Sequence, residues 1–317
     1  MNKELNMKPT RHGYGEALVE LGKEDERIYV LGADLTSSTS ADLFQKAFPE
    51  RFVEIGIAEQ NMLNVAAGLA LEGKIPFVST YGVFVAGRAW DQIRTTICYG
   101  NINVKIGGAH GGISVGPDGA THQALEEITI MRVIPNMQVV VPCDYWETFK
   151  ATKYIAQKIN GPSYIRFGRE AVPIITEKDT PFEYGKAQTF REGKDVAIIA
   201  CGMMVYWALE AAKELKKEGI DVMVVNNHTI KPIDKDGIIA AAKKTGAVVT
   251  AEEHQILGGL GGAVAEVLGQ NYPVPMRIVG VQDRFGESGD PWELLEEFGL
   301  TTKYLVKAAK DVIKMKK

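Results

Sequence analysis

The chain has 317 residues, 45% hydrophobic and 24% charged, a globular composition with length for about two domains, which excludes a disordered or collagen-like chain. Its 36 lysines and arginines against 40 aspartates and glutamates give a formal charge of −4, so no global basic field draws it to nucleic acid or anionic lipid. Any phosphate it binds must be held by a few placed residues.

The opening segment 1–11 is polar, unlike a signal peptide, and no apolar run reaches membrane-spanning length, so a cytoplasmic protein with neither membrane nor nucleic acid as partner is expected. In chain order, strands are predicted at Arg27–Leu31, Phe52–Ile57, Pro76–Thr80, Val104–Gly107, Gln138–Val141 and Ser163–Phe167. Helices are predicted between them at Gln60–Leu71, Phe84–Cys98, Ala124–Met131 and Tyr145–Ile159. Short β-rich runs alternating with helical period imply parallel strands joined by crossover helices, so residues 1–170 read as one doubly wound α/β domain. Across 171–192, Pro173, Pro181 and Gly185 interrupt short apolar pieces, and this segment reads as a linker. A second series fills 193–317, with strands at Val196–Ala200, Val222–Val225, Ala247–Ala251 and Val274–Val281 and a helix at Tyr206–Glu218. The expected fold is therefore α/β, with two doubly wound domains.

Four segments carry chemistry or imitate it. The run Gly258 to Gly262 precedes a helical stretch and resembles a dinucleotide phosphate loop, but it lies late in the second series and no spaced ribose-binding acid follows, so close backbone packing is the preferred reading over NAD. At Ile55-Gly56-Ile57-Ala58-Glu59-Gln60-Asn61-Met62 a strand runs into a helix with a carboxylate at the junction. Such a Glu serves the helix dipole, or, among Ile55, Ile57 and Met62, shares a proton with a ring nitrogen. The stretch Ser79 to Gln92 sets Tyr81 and Phe84 just past a strand end, where a flat heterocycle can stack; Tyr81 is favoured for stacking and Trp90 for the core. In Gly107 to Gln123 two of the five histidines, His110 and His122, and Asp118 lie in a glycine-dense loop. Their spacing matches no common zinc pattern, so ligand contact is preferred to metal. His12, His228 and His254 read as surface or structural, and Cys98, Cys143 and Cys201 as buried or neutral thiols.

Together with Gly32-Ala33-Asp34-Leu35-Thr36 and Asp283-Arg284-Phe285-Gly286, these motifs in this order resemble the C-terminal half of transketolase, over nearly the whole chain. The resemblance implies a thiamine-diphosphate pyrimidine-binding domain followed by a transketolase C-terminal domain. It implies transfer of a two-carbon ketol unit from a ketose phosphate to an aldose phosphate, in pentose phosphate metabolism. The family's diphosphate domain carries a Gly-Asp-Gly motif and a later Asn that hold a metal ion, and no Gly-Asp-Gly occurs here. The expectation is thus one subunit of a split enzyme, inactive by itself, with two copies each of this chain and of an N-terminal subunit that mainly holds Mg²⁺ or another divalent ion.

By resemblance, Glu59 hydrogen-bonds the aminopyrimidine and helps the cofactor lose its thiazolium proton. Tyr81, Phe84 and Ile57 contact the cofactor, with Leu35 and Asp34 in the adjoining loop. Arg11, Ser38, His110 and Arg169 match sugar phosphate contacts, and two guanidiniums suit a phosphate dianion. Asp118 and His122 match groups at the hydroxyl and carbonyl end, with His122 and His110 in catalytic positions. Gly87 replaces a common tyrosine, and Gly111-Gly112 an Asp-Ser pair. The alternatives are a deoxyxylulose phosphate synthase-like enzyme, sharing the Arg88 to Gln92 pattern, a 2-oxoacid dehydrogenase beta subunit, or a non-catalytic binding or regulatory subunit.

Overall fold

The computed structural model describes residues 6–316. In chain order its elements are β1 (Met7–Pro9), α1 (Thr10–Glu24), β2 (Ile28–Gly32), α2 (Asp42–Ala47), β3 (Phe52–Glu54), α3 (Glu59–Leu71), β4 (Ile75–Tyr81), α4 (Gly82–Arg88), β5 (Lys105–Ala109), α5 (Glu127–Arg132), β6 (Gln138–Val140), α6 (Tyr145–Lys158) and β7 (Ser163–Arg166). They continue with β8 (Ala171–Pro173), β9 (Gln188–Arg191), β10 (Val196–Ala200), α7 (Met204–Lys217), β11 (Val222–Asn226), β12 (Thr229–Lys231), α8 (Lys235–Thr245), β13 (Val248–Gln255), α9 (Leu260–Asn271), β14 (Met276–Val281), α10 (Pro291–Glu297) and α11 (Thr302–Ile313).

A seven-stranded sheet runs β12-β6-β7-β5-β4-β2-β3, parallel except for β12. Its central strands are nearly continuous apolar runs, such as Ile-Pro-Phe-Val-Ser-Thr-Tyr in β4, because helices cover both faces. One face holds Leu18, Leu21 and Phe44 from α1 and α2 with Ala151 and Ile155 from α6; the other holds Met62, Leu63, Val85 and Ile128 from α3, α4 and α5. The second sheet runs β14-β13-β10-β11-β9, with β9 antiparallel at its edge.

The chain after β3 crosses β2 to form β4, so the connections leave the sheet in opposite directions around β2. That reversal opens a crevice at the carboxyl ends of the strands, the usual ligand position in such sheets. Every candidate site segment except Arg11, which lies in α1, follows one of these ends. Residues 34–38 follow β2, 57–59 follow β3, 81–88 follow β4, 110–122 follow β5 and Arg169 follows β7.

Several elements differ from the sequence reading. The strand expected over Phe52–Ile57 stops at Glu54, whose carboxylate accepts from the backbone N–H of Gly56 at 2.9 Å and of Asp34 at 2.8 Å and folds the chain away. The helix expected over Phe84–Cys98 is broken after Arg88, and a π-helical turn covers Gln92–Cys98. Residues 171–192, read as linker, contain β8, which pairs with β1, and β9, which joins the second sheet. Among the described residues no helix is long and apolar enough to cross a membrane.

Gly258 to Gly262 open α9 without a free anion site. The Glu252 carboxylate accepts from the N–H groups of Leu260 at 2.7 Å and Gly261 at 2.8 Å, and a Cβ on Gly259 would come within 2.0 Å of it. An internal anion fills the place a phosphate would need, so the run packs and caps. Cys98, Cys143 and Cys201 are free and buried, and burial raises all three thiols.

Candidate active site

Glu59 is the first residue of α3 and is only 4% exposed. A cleft of about 520 Å³ lies beside it, lined by Ile57, Ala58, Glu59, Gln60, Asn61 and Arg88, with Ile57 on its exposed rim. The Arg88 Nη1 donates to Glu59 Oε1 at 3.0 Å, and its guanidinium lies 4.0 Å from the Phe84 ring centroid. Gln60 Nε2 donates to the Arg88 carbonyl at 2.9 Å, tying the end of α4 to the start of α3.

Phe84 joins this cleft to a second group of side chains. Its ring lies 5.6 Å from Tyr81, nearly parallel, and 5.3 Å from His122, edge on. Tyr81 stacks on His110 at 3.8 Å, and Leu35 packs in the same apolar cluster. His110 is buried with φ +56, a left-handed conformation that costs a non-glycine residue energy and is held by its surroundings. Its Nδ1 has no hydrogen-bond partner among the described residues. Burial first, then Arg11, Arg169 and His122, push its pKa down to about 3, so near neutrality the ring is uncharged and able to accept or donate one hydrogen bond at each nitrogen. His122 Nδ1 contacts Thr121 Oγ1 at 2.9 Å.

Arg11 and Arg169 approach this histidine pair from α1 and from beyond β7. Arg11 donates to the Ser38 carbonyl at 3.0 Å, and Arg169 donates to the Val115 carbonyl at 2.8 Å and to Asp118 Oδ1 at 3.0 Å. The Arg11 pKa is lowered by burial and then by Arg169, the signature of two like charges held close together with their desolvation incompletely offset. Among the described residues the buried Arg11 Nε has no hydrogen-bond partner. An anion placed between them would relieve both effects.

The structure therefore brings Arg11, Ser38, Tyr81, Phe84, His110, Asp118, His122 and Arg169 into one group, and Glu59 and Ile57 into a cleft joined to it through Phe84. Asp34 is exposed with φ +58, and its N–H donates to Glu54. Two residues that shape the site were given no role in the sequence reading. Glu54 holds the 34–36 loop through Asp34 N–H and through Thr36 Oγ1 at 3.0 Å. Arg88 follows Phe84 by one helical turn, and that i, i+4 spacing places both on one face of α4, a signal available in the sequence. His228 stacks on Phe182 and His254 bonds the Gln255 carbonyl, both structural roles, while His12 is exposed.

Known proteins of the same kind are close in sequence. A family model described as "Transketolase, pyrimidine binding domain" matches residues 6–174, and one described as "Transketolase, C-terminal domain" matches residues 185–305. The chain belongs to the transketolase family. It is 47% identical to a putative transketolase C-terminal section of Methanocaldococcus jannaschii, over 97% of each chain. It is 44% identical to a 6-deoxy-6-sulfo-D-fructose transketolase subunit of a Clostridium species, over 100% of this chain and 99% of that one. A solved structure described as a split gene transketolase in an inactive beta4 tetramer is 53% identical, covers 98% of this chain and 99% of its own, and superposes with a TM-score of 0.91. The chain thus corresponds to the C-terminal subunit of split transketolases, and the synthase-like, dehydrogenase and regulatory readings are not favoured.

The residues present fit the aminopyrimidine half of this family's cofactor, thiamine diphosphate. A flat amidine needs a buried carboxylate, an aromatic face and an apolar rim; Glu59 and Ile57 line the cleft, and Phe84 offers its face beside it, under the Arg88 guanidinium. Among the described residues no group of three His, Cys, Asp or Glu side chains could hold a metal ion.

Proposed function

We propose that this chain supplies the pyrimidine-binding and sugar-binding half of a transketolase that transfers a two-carbon ketol unit from a ketose phosphate to an aldose phosphate. The supporting observation is the convergence, at one sheet edge, of the buried Glu59 cleft with Arg11, Arg169 and His110. When bound, thiamine diphosphate supplies the nucleophile and electron sink for cleaving and forming the carbon–carbon bond.

The chain's residues divide the remaining work. Glu59 accepts a hydrogen bond from the aminopyrimidine edge and holds the shared proton; Phe84, Tyr81, Ile57 and Leu35 wall the ring and exclude water, with Asp34 in the adjoining loop. Arg11 and Arg169 grip the phosphate with charge-assisted bonds, aided by Ser38 and by His110 as a neutral donor. His122 moves protons at the reacting hydroxyl and carbonyl, and Asp118, paired with Arg169, orients the hydroxyl end. In this reading residues 1–170 are the pyrimidine domain and 193–317 the C-terminal domain. A separate N-terminal subunit brings the diphosphate site with Mg²⁺, and two copies of each chain assemble in the cytoplasm.

Mixing this chain with that subunit, thiamine diphosphate and Mg²⁺ tests the reading. Ketol transfer between a ketose phosphate and an aldose phosphate is expected from the mixture and from neither chain alone. Glu59→Ala should lower the rate at least about 100-fold, the lower end of what a positioned proton-transfer group contributes. Unimpaired transfer by this variant would sink the mechanism.

A further inference from the structure

Arg88 has no place in the roles above, yet it makes the only side-chain hydrogen bond recorded for Glu59 among the described residues. The guanidinium is a flat cationic N–C–N unit whose N–H groups donate in its own plane and whose face stacks on aromatic rings. An aminopyrimidine presents a similar edge, two nitrogens flanking one carbon in a flat ring. In the free chain Arg88 takes both contacts such a ring would need, Glu59 Oε1 at 3.0 Å and the Phe84 face at 4.0 Å.

We infer that Arg88 is an internal surrogate for the cofactor's aminopyrimidine, which the cofactor must displace from Glu59 and Phe84 in order to bind. This rests on the proposed pyrimidine-binding role of Glu59. Three features support displacement. Glu59 is 4% exposed, and a buried carboxylate left alone is costly, so the Arg88 cation compensates it where no other partner does. The Arg88 side chain is half exposed, so its charged head can move into water while the backbone stays tied by Gln60. Among the described residues no second hydrogen-bond acceptor anchors the guanidinium, whereas the buried Arg166 is held by both Glu127 and the Glu253 carbonyl.

A site occupied by its own side chain binds more weakly by the fraction of time it is open. In the assembled enzyme with Mg²⁺, Arg88→Ala should therefore tighten thiamine diphosphate binding, read by quenching of tryptophan fluorescence, by about three- to tenfold. Arg88→Gln, which keeps a donor without charge or a flat cation, should fall between the variant and the wild type and serves if the alanine variant folds poorly. In a Glu59→Gln background, where the ion pair is already gone, Arg88→Ala should change the affinity less than about twofold. Weaker or unchanged binding by Arg88→Ala and Arg88→Gln would overturn the inference, because an arginine acting only as a charge for the diphosphate loses affinity when removed. Failure of the wild-type assembly to bind thiamine diphosphate at all would instead overturn the cofactor reading, and with it the role of Arg88.

Discussion

His110 is 2% exposed, sits at φ +56 and has two guanidiniums near it, so protonating it in the folded chain is costly. Its pKa is pushed down to about 3 from an ordinary 6.5. Between those values the unfolded chain holds more protons than the folded one, so stability present above about pH 6.5 is lost as the pH falls toward about 3. One such group contributes a slope of at most about 1.4 kcal/mol per pH unit. Urea unfolding at pH 7.5 and pH 4.5 should show a smaller loss of stability in His110→Asn than in the wild type, asparagine being among the side chains that tolerate positive φ. An identical loss in both would show that the histidine does not titrate in this way. The glycine-dense loop made His110 and His122 legible in the sequence, because so many glycines mark a segment with unusual backbone angles or close approaches. The buried state of Glu59 was legible from its apolar neighbours. Its pairing with Arg88 was not, since 29 positions and strand β4 separate them in sequence and only the folded sheet brings α3 and α4 side by side.

Glycine explains why some elements were missed and others misjudged. Helix α1 carries Gly13, Gly15 and Gly22, which by propensity argue against a helix, and the sequence reading named none there. Each is a packing contact: a Cβ on Gly13 would lie 2.3 Å from the Tyr145 carbonyl, on Gly15 2.4 Å from the Ser40 carbonyl and on Gly22 2.5 Å from the Phe48 ring. Gly111 and Gly112 have a similar cause, since side chains there would strike the Arg166 guanidinium at 2.3 Å and the Glu253 carboxyl at 2.2 Å. The Asp-Ser pair common elsewhere has no room against this ionic cluster. Gly87 is different, for it lies exposed in α4 with nothing within 4 Å of a Cβ. Gly87→Ala should therefore stabilise the chain by about 0.5–1 kcal/mol, the helix cost of glycine relative to alanine. Gly13→Ala should destabilise it by more than that. Urea midpoints of the two variants moving in the same direction would contradict this account of the glycines.

At the scale of the whole molecule, the alternation of strands and helices revealed two α/β units but not how closely they are joined. The second series lends β12 to the edge of the first sheet, where Lys231 Nζ donates to the Arg132 carbonyl at 2.9 Å and the Ile134 carbonyl at 2.5 Å. A three-residue strand distant in sequence from its partner β6 gives no periodic signal, so pairing of this kind is invisible to pattern reading. One apolar cluster contains Met131, Val139 and Val141 from the first series with Ile230, Ala263 and Val267 from the second. Beside it, Arg166 at the end of β7 bonds Glu127 at 2.5 Å and the Glu253 carbonyl of β13 at 2.6 Å, while Glu253 Oε1 accepts from the Ser114 N–H at 2.6 Å. The Arg166 and Glu127 side chains are 6% and 1% exposed, so removing either leaves a buried charge uncompensated, at a cost of about 3–5 kcal/mol. Neither unit can unfold without stripping a strand, an apolar face and buried hydrogen bonds to Glu253 from the other. Calorimetry of the chain should therefore show one transition whose van't Hoff and calorimetric enthalpies agree. Arg166→Leu should lower its midpoint without splitting it, because β12 and the shared core still couple the units. Two resolved transitions in the wild type would show that the shared strand and the buried cluster do not join the two units into one cooperative body.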